Sequence, residues 1–147
     1  MKKSIGKVIA GAAGTLILLQ TMLTGPAAAH PGADGWCIGY GQPTGEMCLF
    51  RLTNYVDMQA DYYYPDSDFT DDHLWFWDGD EYIMGAETVD NRASSARNMS
   101  SICTVRLHQL VGQGGNIIEF PPMAASADLG AYDFDNRASS ISWPDCI

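Results

Sequence analysis

Two copies of one hexapeptide are the residues of this 147-residue chain whose types and spacing could do chemistry. The sequence Asp-Asn-Arg-Ala-Ser-Ser (DNRASS) occupies residues 90–95 and recurs unchanged at residues 135–140, 45 residues later. Asp and Asn side chains, Ser hydroxyls and backbone carbonyls all supply oxygen atoms, and Ca²⁺ binds roughly six to eight oxygens in loose geometry. The pattern therefore predicts two sets of calcium ligands. They are Asp90, Asn91, the Arg92 carbonyl and Ser94 in the first copy, and Asp135, Asn136, the Arg137 carbonyl and Ser139 in the second.

The same hexapeptide also has an interpretation that needs no metal. Asp, Asn and Ser side chains hydrogen-bond the neighbouring backbone and are favoured in turns and caps. Each copy brings one formal negative charge, and so few carboxylates imply a calcium affinity of about 10⁻⁴ to 10⁻³ M. The sequence leaves both alternatives open: calcium sites, or loops that only fold the chain.

Short β-rich segments surround the two copies and must position them. The candidate strands are residues 47–52, 61–64, 74–77, 102–107 and 116–120, which are rich in aromatic and branched residues. No helical periodicity extends beyond about two turns between these segments. Two copies of a four-strand unit predict an all-β protein, an antiparallel sandwich of two Greek keys. One copy could not bury its apolar face alone.

The spacing of the repeat predicts an insertion in its first copy. The segment Cys-Leu-Phe-Arg-Leu at residues 48–52 resembles Cys-Thr-Val-Arg-Leu at residues 103–107, at an offset of 55 rather than 45. The first copy is therefore expected to contain about ten extra residues. We expect them within residues 65–80.

The negative net charge argues against binding to nucleic acid or to an anionic membrane, and the N-terminal residues predict secretion. The formal net charge is −10, and Lys2, Lys3 and Lys7 are the only lysines, so nothing later in the chain could form a basic patch for nucleic acid or an anionic membrane. These lysines, an apolar stretch at residues 8–23 and Pro-Ala-Ala-Ala at residues 26–29 have the three-part pattern of a secretory signal peptide. We predict cleavage before His30. Residues 30–147 would then form one secreted, extracellular domain of charge −13, from five arginines against 18 carboxylates.

Four cysteines in a short exported chain predict two disulfides. Three pairings are possible. We favour Cys37–Cys48, which closes a local loop, and Cys103–Cys146, which ties a late strand to the C-terminus. A zinc site is disfavoured because no Cys-x-x-Cys spacing occurs.

The hexapeptide, placed once per Greek key, resembles the calcium signature [ND]-[ND]-x-x-[ST]-S of microbial βγ-crystallin domains. The chain also resembles the bacterial metalloproteinase-inhibitor family that shares this fold, through Cys37, Cys48-Leu49-Phe50 and the turn Asn54-Tyr55-Val56-Asp57. The resemblance covers roughly residues 36–146. It implies a βγ-crystallin-like fold with Greek keys at about residues 46–98 and 102–143, whose two loops lie side by side and exchange calcium ligands. Asp57 stands where that family has Gly, at a position that needs a positive φ.

The resemblance implies a non-catalytic protein of peptidase-inhibitor type, a monomer that occludes a secreted metalloprotease. The alternative is a calcium-stabilised extracellular structural or interaction module that has no protease target. An enzyme is disfavoured because the sequence contains no His-Glu-x-x-His or Gly-x-Ser-x-Gly motif and marks out no nucleophile. His108, within the presumed second hairpin, is expected at the surface.

Aromatic side chains cluster at residues 62–64 (Tyr-Tyr-Tyr) and 75–77 (Trp-Phe-Trp). Three adjacent aromatics cannot all face inward on a strand, so some must be exposed, and exposed aromatics often mark binding surfaces. At least one of the three tyrosines must face outward, and it is Tyr63 if Tyr62 and Tyr64 are in the core. We predict that Tyr63, Trp75 and Trp77 contact a partner. The acidic stretch at residues 66–72 is predicted to be a solvated loop, because it lacks the glycine and glutamate of an EF-hand.

Overall fold

The computed structural model describes residues 35–37 and 45–146. The predicted signal peptide and its cleavage site lie outside these residues. The described strands are β1 (Met47–Phe50), β2 (Gln59–Tyr62), β3 (His73–Trp77), β4 (Tyr82–Thr88), β5 (Ser95–Asn98), β6 (Val105–Leu110), β7 (Gly114–Phe120), β8 (Ala125–Ser126) and β9 (Ser140–Ser142). Two 3₁₀-helices, Thr53–Tyr55 and Leu129–Tyr132, are the helical elements of the described residues. None of their helices has the length and apolar character needed to span a membrane.

The strands form two antiparallel sheets that exchange strands. The first sheet has the order β4-β3-β2-β1-β5-β8 and the second has the order β7-β6-β9. Strand β8 follows β7 in the chain but pairs with β5 in the first sheet. Asp66, which follows β2, forms the reciprocal bridge to Ile141 of β9 in the second sheet. Each half of the molecule thus contributes one extended segment to the sheet of the other half, which is the double Greek-key arrangement predicted from the repeat.

The pairing register defines the internal symmetry and corrects the alignment made from residue types. Phe50 pairs with Ser95, the last residue of the first hexapeptide, and His108 pairs with Ser140, the last residue of the second. Phe50 and His108 are therefore equivalent, at an offset of 58. The predicted equivalence of residues 48–52 with 103–107, at an offset of 55, is wrong. Cys103 precedes β6, which begins at Val105 rather than at residue 102.

The extra residues of the first half form a hairpin, β3–β4, at the edge of the first sheet. The N–H of Phe69 donates to the carbonyl of Ser139 at 3.0 Å, and the N–H of Leu129 donates to the carbonyl of Ser94 at 2.9 Å. Phe69 and Leu129 are therefore equivalent residues of the two halves. Between these equivalent residues and the following hexapeptide lie 20 residues in the first half (70–89) but only five in the second (130–134). The insertion therefore follows Phe69, and residues 65–69 belong to the Greek key itself. The prediction of an insertion is confirmed, but its position is later than residues 65–80.

The core lies between the two sheets and is apolar. Alternate residues of the central strands point into it, because successive side chains of a strand face opposite sides. Its fully buried members include Met47, Leu49, Phe69, Leu74, Val89, Val105, Leu107, Leu129 and Ile141. Both disulfides favoured from the sequence are present: Cys37–Cys48 and Cys103–Cys146. The first holds residues 35–37 against the outer side of β1.

Each half contains a tightly folded hairpin between its first two strands. Asn54, Tyr55 and Asp57 have φ values of 62°, 61° and 72°, and their equivalents Gly112, Gln113 and Gly115 have 76°, 61° and 77°. The left-handed region favours glycine because a Cβ atom is crowded there. Asp57 adopts it nevertheless, as Asp and Asn do more readily than other residues. The hairpin of the first half is therefore folded despite lacking glycine.

Candidate functional site

The two DNRASS loops begin after a buried apolar residue and lead into the strands β5 and β9. Val89 and Phe134 precede them and are buried at 0% and 3% exposure, which fixes where each loop leaves the core. The N–H of Ser94 donates to the carbonyl of Phe50, and the N–H of Ser139 donates to the carbonyl of His108, both at 2.9 Å. The two loops therefore occupy equivalent positions at the same end of their sheets.

Reciprocal backbone hydrogen bonds place the two loops side by side. The N–H of Asn91 donates to the carbonyl of Ala138, and the N–H of Asn136 donates to the carbonyl of Ala93, both at 2.9 Å. Both asparagines have a positive φ, 54° and 53°, a conformation that Asn tolerates better than most residues. The hexapeptides that lie 45 residues apart in sequence are thus in direct contact.

Oxygen atoms of both loops meet at this contact. The hydroxyl of Ser139 lies 3.5 Å from Oδ1 of Asn91, across the two loops. Within each loop, the Asn amide donates to the preceding carboxylate: Asn91 to Asp90 at 2.8 Å and Asn136 to Asp135 at 3.0 Å. The predicted ligand residues therefore lie in one region, with side chains from different loops within reach of each other.

The carboxylate of Asp90 contains a buried oxygen whose hydrogen-bonding capacity is unused. Its Oδ1 is shielded from solvent and has no hydrogen-bond partner within the described residues. A buried carboxylate oxygen without a partner costs free energy unless a cation or donor satisfies it. This atom fits a Ca²⁺ ligand. Asp135, the equivalent residue, is exposed, so the two halves of the region differ.

The chemistry of the donor set favours calcium over softer metals. In the part of the chain that the structure describes, no three His, Cys, Asp or Glu side chains converge as a metal-binding group. Any cation here must be held mainly by Asn, Ser and carbonyl oxygens with one carboxylate per loop. Such hard, weakly charged ligands suit Ca²⁺ and are poor ligands for zinc.

The two arginines of the hexapeptides are paired outside their own motifs. Arg92 lies 3.3 Å from Glu87 of β4, and Arg137 lies 3.1 Å from Asp133. Their side chains are 48% and 40% exposed. The guanidinium groups therefore point toward carboxylates near the surface, and the carbonyl groups of these residues are the groups that remain candidates for metal ligation.

The last serine of each hexapeptide has a structural role that the sequence analysis did not assign. The hydroxyl of Ser95 accepts from the N–H of Tyr55 at 3.0 Å and donates to the carbonyl of Leu52 at 2.6 Å. Ser140 is bonded in the same way to Gln113 at 3.0 Å and to Leu110 at 2.7 Å. Both serines are fully buried. The turn chemistry weighed as an alternative to calcium is thus present in the motif, at its sixth position. The signal for it was the unchanged second Ser in both copies.

The three predicted partner-contact residues are not brought together. Trp75 and Trp77 lie on β3, while Tyr63 follows β2. Because Gln59 pairs with Trp75 in antiparallel register, Trp77 and Tyr63 lie at opposite ends of the two strands. Tyr63 is also less exposed than Tyr64, which is 56% exposed. The condition for Tyr63 alone to face outward, that Tyr62 and Tyr64 are both in the core, is met by Tyr62 but not by Tyr64, because β2 ends at Tyr62.

Gly35 and Trp36 cover part of the surface formed by Trp75 and Trp77. The ring of Trp36 packs edge-on against Trp77, with 5.8 Å between centroids, and against Tyr82 at 5.1 Å. Gly35 lies so close to Trp75 that an added Cβ would come within 2.8 Å of the Trp75 Cβ. Trp77 nevertheless remains 48% exposed. The surface is therefore shared between internal packing and solvent.

Two further expectations about polar residues need correction. Asp66, placed by the sequence in a solvated acidic loop, is 4% exposed and forms the bridge to Ile141. Asp68 does lie in a turn, where hydrogen bonds from the Thr70 hydroxyl and N–H lower the pKa of its carboxyl. His108 is buried at 7% exposure rather than at the surface, and its Nε2 lies 2.7 Å from the Ser142 hydroxyl.

Comparison with known proteins identifies the architecture. No protein-family model matches the chain, and neither does any curated protein. It is similar to solved structures: one from work on the evolution of the eye lens βγ-crystallin domain fold (TM-score 0.55, 15% identity, 71% of this chain and 89% of that chain), a βγ-crystallin from Ciona intestinalis (0.50, 16%, 67% and 99%), and the N-terminal domain of protein S (0.50, 21%, 69% and 97%). The fold is that of the βγ-crystallins.

Similarity at these identities shows the βγ-crystallin fold and nothing finer. It confirms the predicted all-β, double Greek-key class. None of the comparisons supports the metalloproteinase-inhibitor family specifically.

Proposed function

We propose that this protein is a secreted, non-catalytic βγ-crystallin-like module that binds calcium between its two DNRASS loops. The observation that carries the proposal is the meeting of identical loops through reciprocal hydrogen bonds, with the unpartnered Oδ1 of Asp90 beside them. The ligands would be Asp90, Asn91, Ser94, Asp135, Asn136 and Ser139, with the carbonyls of Arg92 and Arg137. The cation would supply electrostatic cross-linking of the halves rather than chemistry on a substrate.

Calcium binding of this kind stabilises the fold by mass action. A ligand that binds only the native state raises stability with its saturation, by about 2.7 kcal/mol at a hundredfold excess over Kd. With a Kd of about 10⁻⁴ to 10⁻³ M, the effect is expected at the millimolar calcium typical of extracellular fluids. Two disulfides also belong to oxidising compartments, which supports the proposed secretion.

A thermal melt of residues 30–147 in calcium, in magnesium and in chelator tests the proposal. We expect calcium alone to raise the Tm, and we expect the double variant Asp90→Ala, Asp135→Ala to lose the rise. The matched control is Asp71→Ala, Asp80→Ala, which removes two exposed carboxylates from other loops. An equal rise in all three proteins would mean that general charge neutralisation acts, and absence of any rise in the unmodified protein would leave the loops as turns only.

Inhibition of a secreted metalloprotease is the second candidate function. Exposed apolar residues at the tip of the first hairpin favour it: Leu52 and Val56 are 49% and 51% exposed, beside the turn that resembles the inhibitor family. A rigid surface lowers the entropic cost of binding a protease cleft. Titration of a thermolysin-like protease should reach full inhibition at one equivalent and leave the chain uncut. Slow cleavage without inhibition would contradict this function.

A further inference from the structure

A cleft of about 570 Å³ opens at the end of the sandwich opposite to the DNRASS loops. The loops bond to Phe50 at the end of β1, whereas the cleft includes Gly45, which precedes the start of β1 at Met47. Its lining includes Tyr63, Tyr64, Ile102, Trp143, Asp145 and the Cys103–Cys146 disulfide. The volume lies in the range of small-molecule sites, roughly 300–1,000 Å³.

Aromatic and aliphatic groups form most of the cleft wall and are held in place by the fold. Tyr63 and Tyr64 lie against each other with ring centroids 5.5 Å apart. Trp143 is 7% exposed, whereas Tyr64 and Ile102 are 56% and 58% exposed and so leave apolar surface facing solvent. The Cys103–Cys146 disulfide fixes one wall. A preformed apolar cleft with exposed aromatic edges is a better site for a flat ring than for a polar solute.

The charge around the cleft favours a ligand that carries a positive charge. Asp145 is the only charged residue among those that line the cleft in the described part of the chain. The described residues as a whole contain five arginines against 17 carboxylates, a formal charge of −12. A cation near Asp145 gains from this field and from the faces of the tyrosine and tryptophan rings. An anion of the same shape would meet repulsion.

We propose that the cleft binds a small aromatic amine, with the ring between Tyr64, Ile102 and Trp143 and the ammonium group near Asp145. The proposal is independent of calcium, because the two sites lie at opposite ends of the sandwich. A peptide would present the same groups on a longer chain, but a volume of about 570 Å³ matches a small molecule better.

Matched probes test this directly by NMR titration or calorimetry. Tryptamine carries the ring and an ammonium group, and indole-3-propionate carries the same ring with a carboxylate. We expect tryptamine to bind in the presence of either calcium or chelator, and indole-3-propionate to bind at least about tenfold more weakly, the ratio that 1.4 kcal/mol gives. Equal binding of the two probes, or binding of neither, would overturn the proposal.

Variants assign the contacts. Asp145→Asn should weaken tryptamine binding by about two- to fivefold and leave the propionate unchanged or improved. Tyr64→Ala should weaken tryptamine binding by about two- to fivefold through loss of the ring face. The control variants Asp80→Asn and Tyr132→Ala alter an exposed carboxylate and an exposed tyrosine elsewhere, and should bind as the unmodified protein does. Binding of a basic aromatic peptide by a protein that ignores free tryptamine would overturn the small-molecule assignment.

Discussion

Ser95 and Ser140 each join a DNRASS loop to the folded hairpin of its own half. Replacing either serine by alanine removes the partner of a partly buried N–H and of a partly buried carbonyl of the hairpin, those of Tyr55 and Leu52 in the first half. We expect each substitution to lower the free energy of unfolding by about 1–3 kcal/mol. Urea denaturation measures the change. The control Ser101→Ala, at an exposed position, should change stability by less than about 0.5 kcal/mol. Equal effects at all three serines would contradict the assignment.

His108 makes the stability of the fold depend on pH. Burial lowers its pKa, with a smaller contribution from the charge of Arg106. In the unfolded chain the pKa is about 6.5, so below that pH the unfolded state binds a proton that the folded state resists. Stability is therefore complete above the unfolded pKa and falls as the pH drops below it.

The variant His108→Gln tests this dependence. We expect it to flatten the loss of stability between about pH 7.5 and 5.5, the range around the unfolded histidine pKa. A slope that survives in His108→Gln would assign the pH dependence to other groups. Circular dichroism in urea at each pH gives the unfolding free energies.

At the scale of elements, the two disulfides should contribute unequally. Cys103–Cys146 closes a loop of 43 residues and Cys37–Cys48 a loop of 11. The loop-entropy model predicts about 4 kcal/mol for the longer loop and about 3 kcal/mol for the shorter. Paired Cys→Ala variants, compared by chemical denaturation, should show this order. A larger loss of stability on removing Cys37–Cys48 would contradict the loop-entropy order. It would mean that this disulfide acts mainly by holding residues 35–37 against β1 and its neighbours.

The elements also show which features a sequence can predict. The repeated hexapeptide and the β-rich segments around it correctly predicted two Greek keys, because a repeat is a property of the chain itself. The offset was misjudged because Cys48 and Cys103 look alike, while pairing sets Phe50 against Ser95. The short strands β8 and β9 carry two and three residues, too few for a periodic pattern.

The residue types of the candidate site could be read from the sequence, but the difference in burial between its two loops could not. Residue types indicated oxygen ligands in both loops equally. Only the three-dimensional structure shows that Asp90 is half-buried beside the inserted hairpin, whose Glu87 pairs with Arg92, while Asp135 is exposed. Burial of this kind depends on an insertion remote from the motif. The same limit explains Tyr64 and His108, whose exposure follows from where a strand ends and what packs on it.

At the scale of the whole molecule, negative charge opposes the compact state. Seventeen carboxylates face five arginines in the described residues, and four of those arginines are already in ion pairs. Raising NaCl from about 10 to 150 mM shortens the screening length from about 30 to 8 Å. We expect the Tm of the calcium-free protein to rise as a result. Calcium should raise the Tm further at the higher salt concentration, because an ion bound at a site stabilises the folded state in addition to the general screening by NaCl. An unchanged Tm in NaCl would show that self-repulsion is negligible.

The exchange of segments between the halves has a consequence for the moment at which the protein can fold. Strand β1 is synthesised early, but its sheet is complete only when β8 has been synthesised and has paired with β5. Asp66 likewise can form its bridge only after Ile141 has been synthesised. The first half therefore cannot close while it leaves the ribosome, and its apolar face stays open until nearly all described residues have emerged. The interlocked halves can therefore close only as one cooperative unit, after both of them have been synthesised.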